Sequence, residues 1–445
     1  MNIQTFTQKF HQIEVETEAF EFKDQAGIHY WDAVRSSVFQ HIYKKVKADG
    51  SYSSESEIKG SKLKRWIKPI ISKCAKYLVI KYFKYSQRKV LFVKCSRTFV
   101  GERWQDNISS QISSSMLNDK LEIETCASRN SIIHTRYLFH YTSVALPVCT
   151  KQALKRFSEA VQQVFGAKIE LSDVVSENLS IFYTELDFYR SVFTKTKIAK
   201  VFLVQNGIQK GLFKAAIESN IEVNEFQHGY IGFAQPAYSY PNVSFHNDNL
   251  FLPYRLLTFS DFWQHGYYFP VKEFVVIGSS NHKEITTVDK LSEYVLVVSA
   301  NIYHDDLLHL TKKLSSDLSG VTFKYKLHPN QFHQINEIKD SFVGHKNIEV
   351  IGPELGISEL LKYSLHVLCI QSTAVYEALQ SGSFVYCYKR HNYNNHDNVI
   401  GSPGFFLIDS AHEFVQLMNV NNMNSSFQTT NFFSPYNPES VKYLL

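Results

Sequence analysis

Several things are missing from this chain of 445 residues, and each absence narrows what it can be. No stretch approaches the roughly 20 consecutive apolar residues of a membrane-spanning helix. The opening residues, MNIQTFTQKFHQIEVETEAF, lack a basic segment leading into an apolar one, so no secretory leader is expected. Cysteine is sparse: Cys74, Cys95, Cys126, Cys149, Cys369 and Cys387 are dispersed, with no C-x-x-C pair. That spacing argues against a zinc site and a disulfide framework, and predicts buried free thiols in a reducing compartment. The formal net charge of +5 is too small to argue for nucleic acid as a partner. There is no G-x-x-x-x-G-K-[ST], no G-x-S-x-G and no H-E-x-x-H, which excludes P-loop NTPases, serine hydrolases with a nucleophile elbow and the common zinc proteases.

What is present supports a large, aromatic-rich protein of the cytoplasm. The length exceeds what one core usually serves, so two domains are expected. Hydrophobic residues make up 44% of the chain, enough for real cores, and Phe and Tyr number 34 and 26. The spacing of Trp31, Val34, Val38 and Ile42 predicts a helix in HYWDAVRSSVFQHIYKKV. KADGSYSSESEIKGS reads as a surface loop. The segment 60–89, GSKLKRWIKPIISKCAKYLVIKYFKYSQRK, interleaves Lys and Arg with Trp66, Ile70, Ile71, Leu78 and Phe83. Two readings stay open: a helix packed on its own domain with a solvated basic face, or an element lying on an anionic membrane surface.

Beyond it, VLFVKCS at 90–96 is a strand, LKRFSEAVQQVFG a helix ended by Gly166, and residues 97–150 carry no assignment. KVFLVQNGIQKGLFKAAIESNIEVNEFQHG gives a strand at 200–205, a turn at Asn206 and Gly207, a helix at 209–219 and a strand at 221–226, a βαβ unit. YRLLTFSDFWQHG and KEFVVIGSSN add strands, and SSNHKEITTVDK reads as a linker. Strands at 294–299, 321–327, 347–351, 366–370 and 384–388 then alternate with helices at about 305–316, 331–341, 356–363 and 374–381, the rhythm of a doubly wound parallel sheet. The expected division is an acceptor-binding domain over 1–280, a nucleotide-binding domain over 281–425 and an irregular tail over 426–445.

Candidate chemistry falls at strand ends, where an open parallel sheet presents helix amino termini to ligands. His228 follows the 221–226 strand and suits a general base acting on an alcohol near neutral pH. Glu225 either orients that ring or is the base itself. His328, held by Pro329 after a second-half strand, can donate to a phosphate oxygen, with Lys326 on the same face of the strand; the plainer reading is a turn histidine. Gln371, Ser372 and Thr373 form a polar turn that can bond phosphate, cap the next helix, or do both. Glu377, one turn later, can accept both ribose hydroxyls or stand as a solvated helix charge. Asp305 and Asp306 in HDD open a helix rather than hold a metal, and the second QHG, at 264–266, reads as packing.

With E-F-Q-H-G at 225–229, L-H-P at 327–329 and Q-S-T-x-x-x-E-A at 371–378, the chain resembles bacterial surface-polysaccharide glycosyltransferases of the GT-B fold. The similar families are the CDP-glycerol glycerophosphotransferases of teichoic acid synthesis and the sialyl- and polysialyltransferases with an HP motif. The resemblance spans about 195–400. It implies an α/β chain with two facing Rossmann-like domains and an interdomain cleft. It also implies His228 as base, with His328, Ser372 and Thr373 on the donor phosphate. The substrates it implies are a nucleotide-activated sugar (or polyol phosphate) and a growing, lipid-linked surface glycan such as a capsule or O-antigen. No cofactor and no metal are expected, and the site would lie in the cytoplasm or at the inner face of the plasma membrane. The chain departs from both families: Gln227 and His228 replace the acidic pair of the sialyltransferases, and Gln371 leads the serine turn, so the donor does not carry over. A sugar-nucleotide epimerase of the same fold, a non-catalytic nucleotide- or polysaccharide-binding protein, and a retaining transferase using Glu225 are the alternatives.

Overall fold

The computed structural model describes residues 1–47, 62–96, 98–100, 103–116, 119–125, 133–141, 144–205, 207–246, 249–279, 293–300, 304–370, 372–390, 396–423, 427–442 and 444. The chain divides into two compact units. The first is Met1–Thr258 with Gly266–Val275 and Ser440–Leu445; the second is Phe259–His265 with Val276–Glu439.

The first unit opens with helices α1 (Ile3–Glu16), α2 (Trp31–Lys47) and α3 (Lys62–Ser86), then strand β1 (Val90–Lys94). The segment without a sequence assignment forms a short antiparallel pair, β2 (Thr98–Val100) and β3 (Arg103–Gln105), then α4 (Ser110–Ser113), β4 (Lys120–Glu124) and α5 (Thr135–Leu138). Two long helices follow, α6 (Val148–Phe165) and α7 (Ser172–Lys195), and α6 ends as expected on Gly166, whose φ is +70°. Then come β5 (Lys200–Val204), α8 (Lys210–Glu218), β6 (Glu222–Phe226), β7 (Arg255–Thr258) and β8 (Glu273–Val276). The sheet order is β4-β1-β5-β6-β7-β8, with the pairs from β4 to β7 parallel. β1 and β5 are apolar runs buried on both faces, as interior parallel strands require. α8 sits tightly on α7 because Gly211 has no side chain; a Cβ there would lie 2.5 Å from both the Glu185 Cβ and the Phe182 carbonyl oxygen.

The second unit alternates regularly: β9 (Val295–Val298), α9 (His304–Asp317), β10 (Phe323–Lys326), a 3-10 turn (Pro329–Gln334) leading into α10 (Ile335–Ser341), β11 (Ile348–Ile351), α11 (Ile357–Leu361), β12 (His366–Cys369), α12 (Ala374–Gln380), β13 (Phe384–Tyr388), β14 (Phe405–Ile408) and α13 (Ala411–Met423). A last turn of helix, α14 (Glu439–Lys442), closes the chain. The order β11-β10-β9-β12-β13-β14 is parallel throughout. In both sheets the first strand is interior, one flank is laid down next, and the chain then crosses to the other flank. This is the doubly wound order, whose ligand-binding position lies beyond the carboxyl ends of the strands beside that reversal.

The boundary differs from the sequence expectation because the polar tail folds back. The Trp263 indole and the Ser260 hydroxyl both donate to the Phe432 carbonyl, and Gln380 exchanges two hydrogen bonds with Phe433. These bonds bring 259–265 and 427–439 into the second unit. The second QHG lies at the end of a 3-10 turn, with His265 exposed, and Trp263 packs against Tyr376 and Phe432. The cysteine expectation also needs correcting: Cys369 and Cys387 are buried free thiols, whereas Cys74 and Cys149 are exposed and Cys95 is disulfide-bonded. Cys126 and the loop KADGSYSSESEIKGS from Ala48 onward lie outside the described residues.

Candidate functional site

In the first unit the carboxyl ends of β5 and β6 meet in one polar cluster. The buried Glu225 carboxyl, on β6, accepts from the Gly207 amide and the Tyr238 hydroxyl, both at 2.7 Å through Oε1. Gly207 can present that amide because its φ is +60°, a left-handed turn that favours glycine. Burial pushes the Glu225 carboxyl up to about 7, against the opposing pull of Tyr238, Gly207 and Lys210. Among the described residues its Oε2 has no hydrogen-bond partner, nor has the buried Nε2 of Gln205.

His228 is half-buried. Its Nδ1 lies 3.0 Å from the Gln205 carbonyl, which can only accept, so Nδ1 carries the proton and Nε2 is the basic nitrogen of the neutral ring. The Tyr238 hydroxyl lies 3.0 Å from the same carbonyl. The hydroxyl has a single proton, so it donates either to Glu225 or to that carbonyl, and the two contacts are alternatives. The Glu225 side chain is fully buried.

A second buried network holds the Tyr238 loop in place. Arg35 donates to both carboxylate oxygens of Glu14 at 2.8 Å and to the Pro236 and Ser239 carbonyls, and its guanidinium lies 4.3 Å from the Tyr240 ring centre. Asp32 accepts from Lys210, Tyr240 and the Phe251 amide at 2.6 to 3.0 Å. Helices α1 and α2 therefore reach the Tyr238 loop through backbone carbonyls 201 and 204 residues away in sequence.

In the second unit His328 and Ser372 fall on one edge of one sheet. His328 follows β10 and Ser372 follows β12; both strands flank β9, so the two turns stand two strand spacings apart, about 10 Å. The His328 Nδ1 accepts from the Asn330 amide at 3.2 Å, which leaves the proton on Nε2 and makes that nitrogen a donor. Burial lowers its pKa, so the ring stays neutral. Gln331 closes a capping box by accepting from the His328 amide at 3.2 Å, and also accepts from Ser299, at the end of β9, at 2.8 Å. His304 lies within 3.3 Å of the Ser299 hydroxyl and 3.1 Å of the Tyr325 hydroxyl.

The other expected residues are placed as follows. Lys326 is buried and its ammonium donates to the Gly352 carbonyl, at the end of β11, so at least one of its donors is committed within the protein. The Ser372 hydroxyl accepts from the Ala374 amide, the first of α12, at 3.2 Å, and its own amide points to the Nε2 of His396 at 3.4 Å. Thr373 is exposed and makes no capping bond; Glu377 is half-buried in the first turn of α12. Gln371 lies outside the described residues. Asp305 and Asp306 open α9, and Asp306 pairs with Arg390 at 3.2 Å. Among the described residues no group of three or more His, Cys, Asp or Glu is arranged to hold a metal ion.

Sequence reasoning missed Gln205, Tyr238, Ser299, Gln331, His396 and Arg390. Only Gln331 had a local signal, the i, i+3 spacing of a capping box after His328. His396 is fully buried, its Nδ1 has no partner among the described residues, and burial drives its pKa down to about 4. Nothing in HNYNNHDN sets it apart from its neighbours. Arg390 stacks on Tyr388 at 3.8 Å beyond β13, adding a cation to the same edge.

No protein-family model and no curated protein matches the sequence. Solved structures similar in fold include the UDP-GlcNAc 2-epimerase of Methanocaldococcus jannaschii (13% identity, 80% of this chain and 98% of that one, TM-score 0.45) and MurG of Acinetobacter baumannii (10%, 75% and 90%, 0.44). The glycotransferase of kitacinnamycin is another (12%, 74% and 89%, 0.40). At these identities and scores, the functional reading rests on the residues alone.

Proposed function

We propose that the protein is a nucleotide-sugar-dependent glycosyltransferase of the GT-B kind. Its second unit binds the donor nucleotide and its first supplies the base. The observation that carries this reading is the edge shared by His328 and Ser372, with the Nε2–H of His328 fixed as a donor by the Asn330 amide.

Phosphate oxygens sit beyond β10, β9 and β12, where His328, the Ser372–Thr373 turn and the Arg390 cation meet developing charge. Glu377 takes the ribose hydroxyls, and Gln371 and Lys326 complete the phosphate site. The basic Nε2 of His228 removes the proton from an acceptor hydroxyl, which attacks the anomeric carbon as the phosphate leaves. Side chains and backbone amides carry the charge in this scheme, with no metal and no cofactor. The acceptor is a growing glycan on a lipid carrier, met at the inner face of the plasma membrane.

The test is a panel of CMP-, CDP-, UDP- and GDP-linked donors, followed for nucleotide release with and without a lipid-linked glycan. Release that depends on acceptor, with a matching glycan product, supports transfer. Inversion of the sugar without release would identify an epimerase, and binding without turnover of any donor would identify a binding protein.

A further inference from the structure

Helix α3 carries eight Lys and Arg and no acidic residue over its 25 residues. Its buried side is narrow: Ser72, Val79 and Phe83 face inward, and Ser72 donates to the Leu138 carbonyl of α5. The other side is exposed, and it is not uniformly polar. Ile70, Leu78 and Tyr85 are 67%, 62% and 72% exposed, with Ile71, Tyr77 and Tyr82 beside them and Lys68, Lys73, Lys81 and Lys84 interspersed. A globular protein has no folding reason to expose so many large apolar groups on one helix.

Next to this face lies a recess of about 860 Å³ between α3, α5 and the edge strand β4. That is within the ~300–1,000 Å³ of ordinary ligand clefts. Leu78, Val79, Leu121, Ile123 and Leu138 give it apolar walls, and Arg88, Lys94 and Lys120 line it too. Its carboxylates are committed within the protein: Glu122 pairs with Lys94 and Lys120 at 3.3 and 2.9 Å, and Glu124 accepts from Ser96 at 3.0 and 2.6 Å. Arg88 donates to the Lys120 carbonyl and makes no ion pair among the described residues.

We propose that α3 lies on an anionic bilayer and that the recess beside it takes one hydrocarbon chain of a phosphate-bearing lipid, with the phosphate at Arg88. Charge complementarity selects this occupant. A second copy of the chain would bring two eight-cation helices together, and a neutral apolar partner would leave those cations unused. No described helix is long and apolar enough to cross a membrane, so α3 lies at the interface rather than through it. The inference rests on the functional reading only in giving the lipid a purpose, that of holding the carrier of the acceptor.

Two measurements on the full chain test it, and neither uses donor or turnover. In sedimentation with vesicles, binding should require anionic lipid (about one third phosphatidylglycerol in phosphatidylcholine) and weaken strongly at ~0.5 M salt. Lys81→Glu with Lys84→Glu should reduce it at least about thirtyfold. In calorimetry below micellar concentrations, hexadecyl phosphate should bind one to one, at least about a hundredfold tighter than octyl phosphate or inorganic phosphate. Val79→Trp, which fills the recess, should abolish that difference; Leu78→Lys, at the exposed rim where folding is not at stake, should reduce it. Equal binding of the long and short chains, indifference to both recess variants, equal binding to neutral vesicles, or equal affinity for an RNA oligonucleotide would each overturn the proposal. Chain binding without transfer would leave the groove standing and remove the enzyme reading, and transfer without chain binding would do the reverse.

Discussion

The carboxyl edge of the first sheet and that of the second share a topology and differ in chemistry, and two histidines show how. His228 has its Nδ1 against a carbonyl, and His328 has its Nδ1 against an amide. A carbonyl forces the proton onto Nδ1 and leaves Nε2 basic; an amide does the opposite and makes Nε2 a donor. The same side chain is thus a proton acceptor on one sheet and a proton donor on the other, through one backbone contact each. Their surroundings differ in the same direction. The first edge is backed by a buried carboxyl held near neutrality, while the second has Arg390 and short capped turns.

The largest effect expected from breaking this contrast is at the acceptor side. His228→Ala should lower transfer by about 10³-fold while nucleotide affinity, measured by calorimetry, stays within about twofold. Near wild-type turnover would remove His228 as base. His328→Ala loses a donor to a charged oxygen, about 1.5–3 kcal/mol, so nucleotide affinity and turnover should both fall roughly 10- to 100-fold. Unchanged affinity would remove it from the phosphate site.

Glu225→Gln sharpens the comparison more finely. It keeps an oxygen for Gly207 and Tyr238 but cannot titrate, so kcat should fall no more than about tenfold, and the part of the pH dependence that this carboxyl adds near 7 should be lost while that of the base remains. A break that persists unchanged would belong to another group.

The smallest effect concerns Glu185, buried beneath α8, whose carboxyl is pushed by burial from 4.5 to about 8. Its raised pKa means that the folded state keeps a proton the unfolded chain releases above pH 4.5. Its contribution is therefore greatest at low pH, declines from 4.5 and is lost above about 8. Glu185→Gln should match wild type in Tm near pH 4.5 and exceed it by a few degrees near pH 9, at ~2–4 °C per kcal/mol. Identical melting curves at both pH values would show that the carboxyl ionises without penalty.

Much of the second sheet could be read directly, because parallel strands buried on both faces appear as short apolar runs between helical periods. The expected strands at 294–299, 321–327, 347–351, 366–370 and 384–388 each contain an observed one. β14 and α13 escaped notice: FFLI is brief, and the Asn-rich stretch ending α13 hides its packing behind polar composition. The strands between 97 and 150 were unreadable because they are short and mixed in character, and their order in the sheet depends on partners far along the chain.

The local chain thus determined that two β/α rhythms exist, that His228, His328 and Ser372 follow strands, and that a basic amphipathic helix precedes the first sheet. Such features depend on neighbours within a few residues, through periodicity and turn chemistry. Tertiary structure alone decided which strands lie side by side, that Glu225 is buried with its second oxygen unpartnered among the described residues, that Lys326 turns to Gly352, and that the unremarkable His396 backs the Ser372 turn. Burial and hydrogen-bond partners are properties of groups distant in sequence, and they set whether an imidazole gives a proton or takes one.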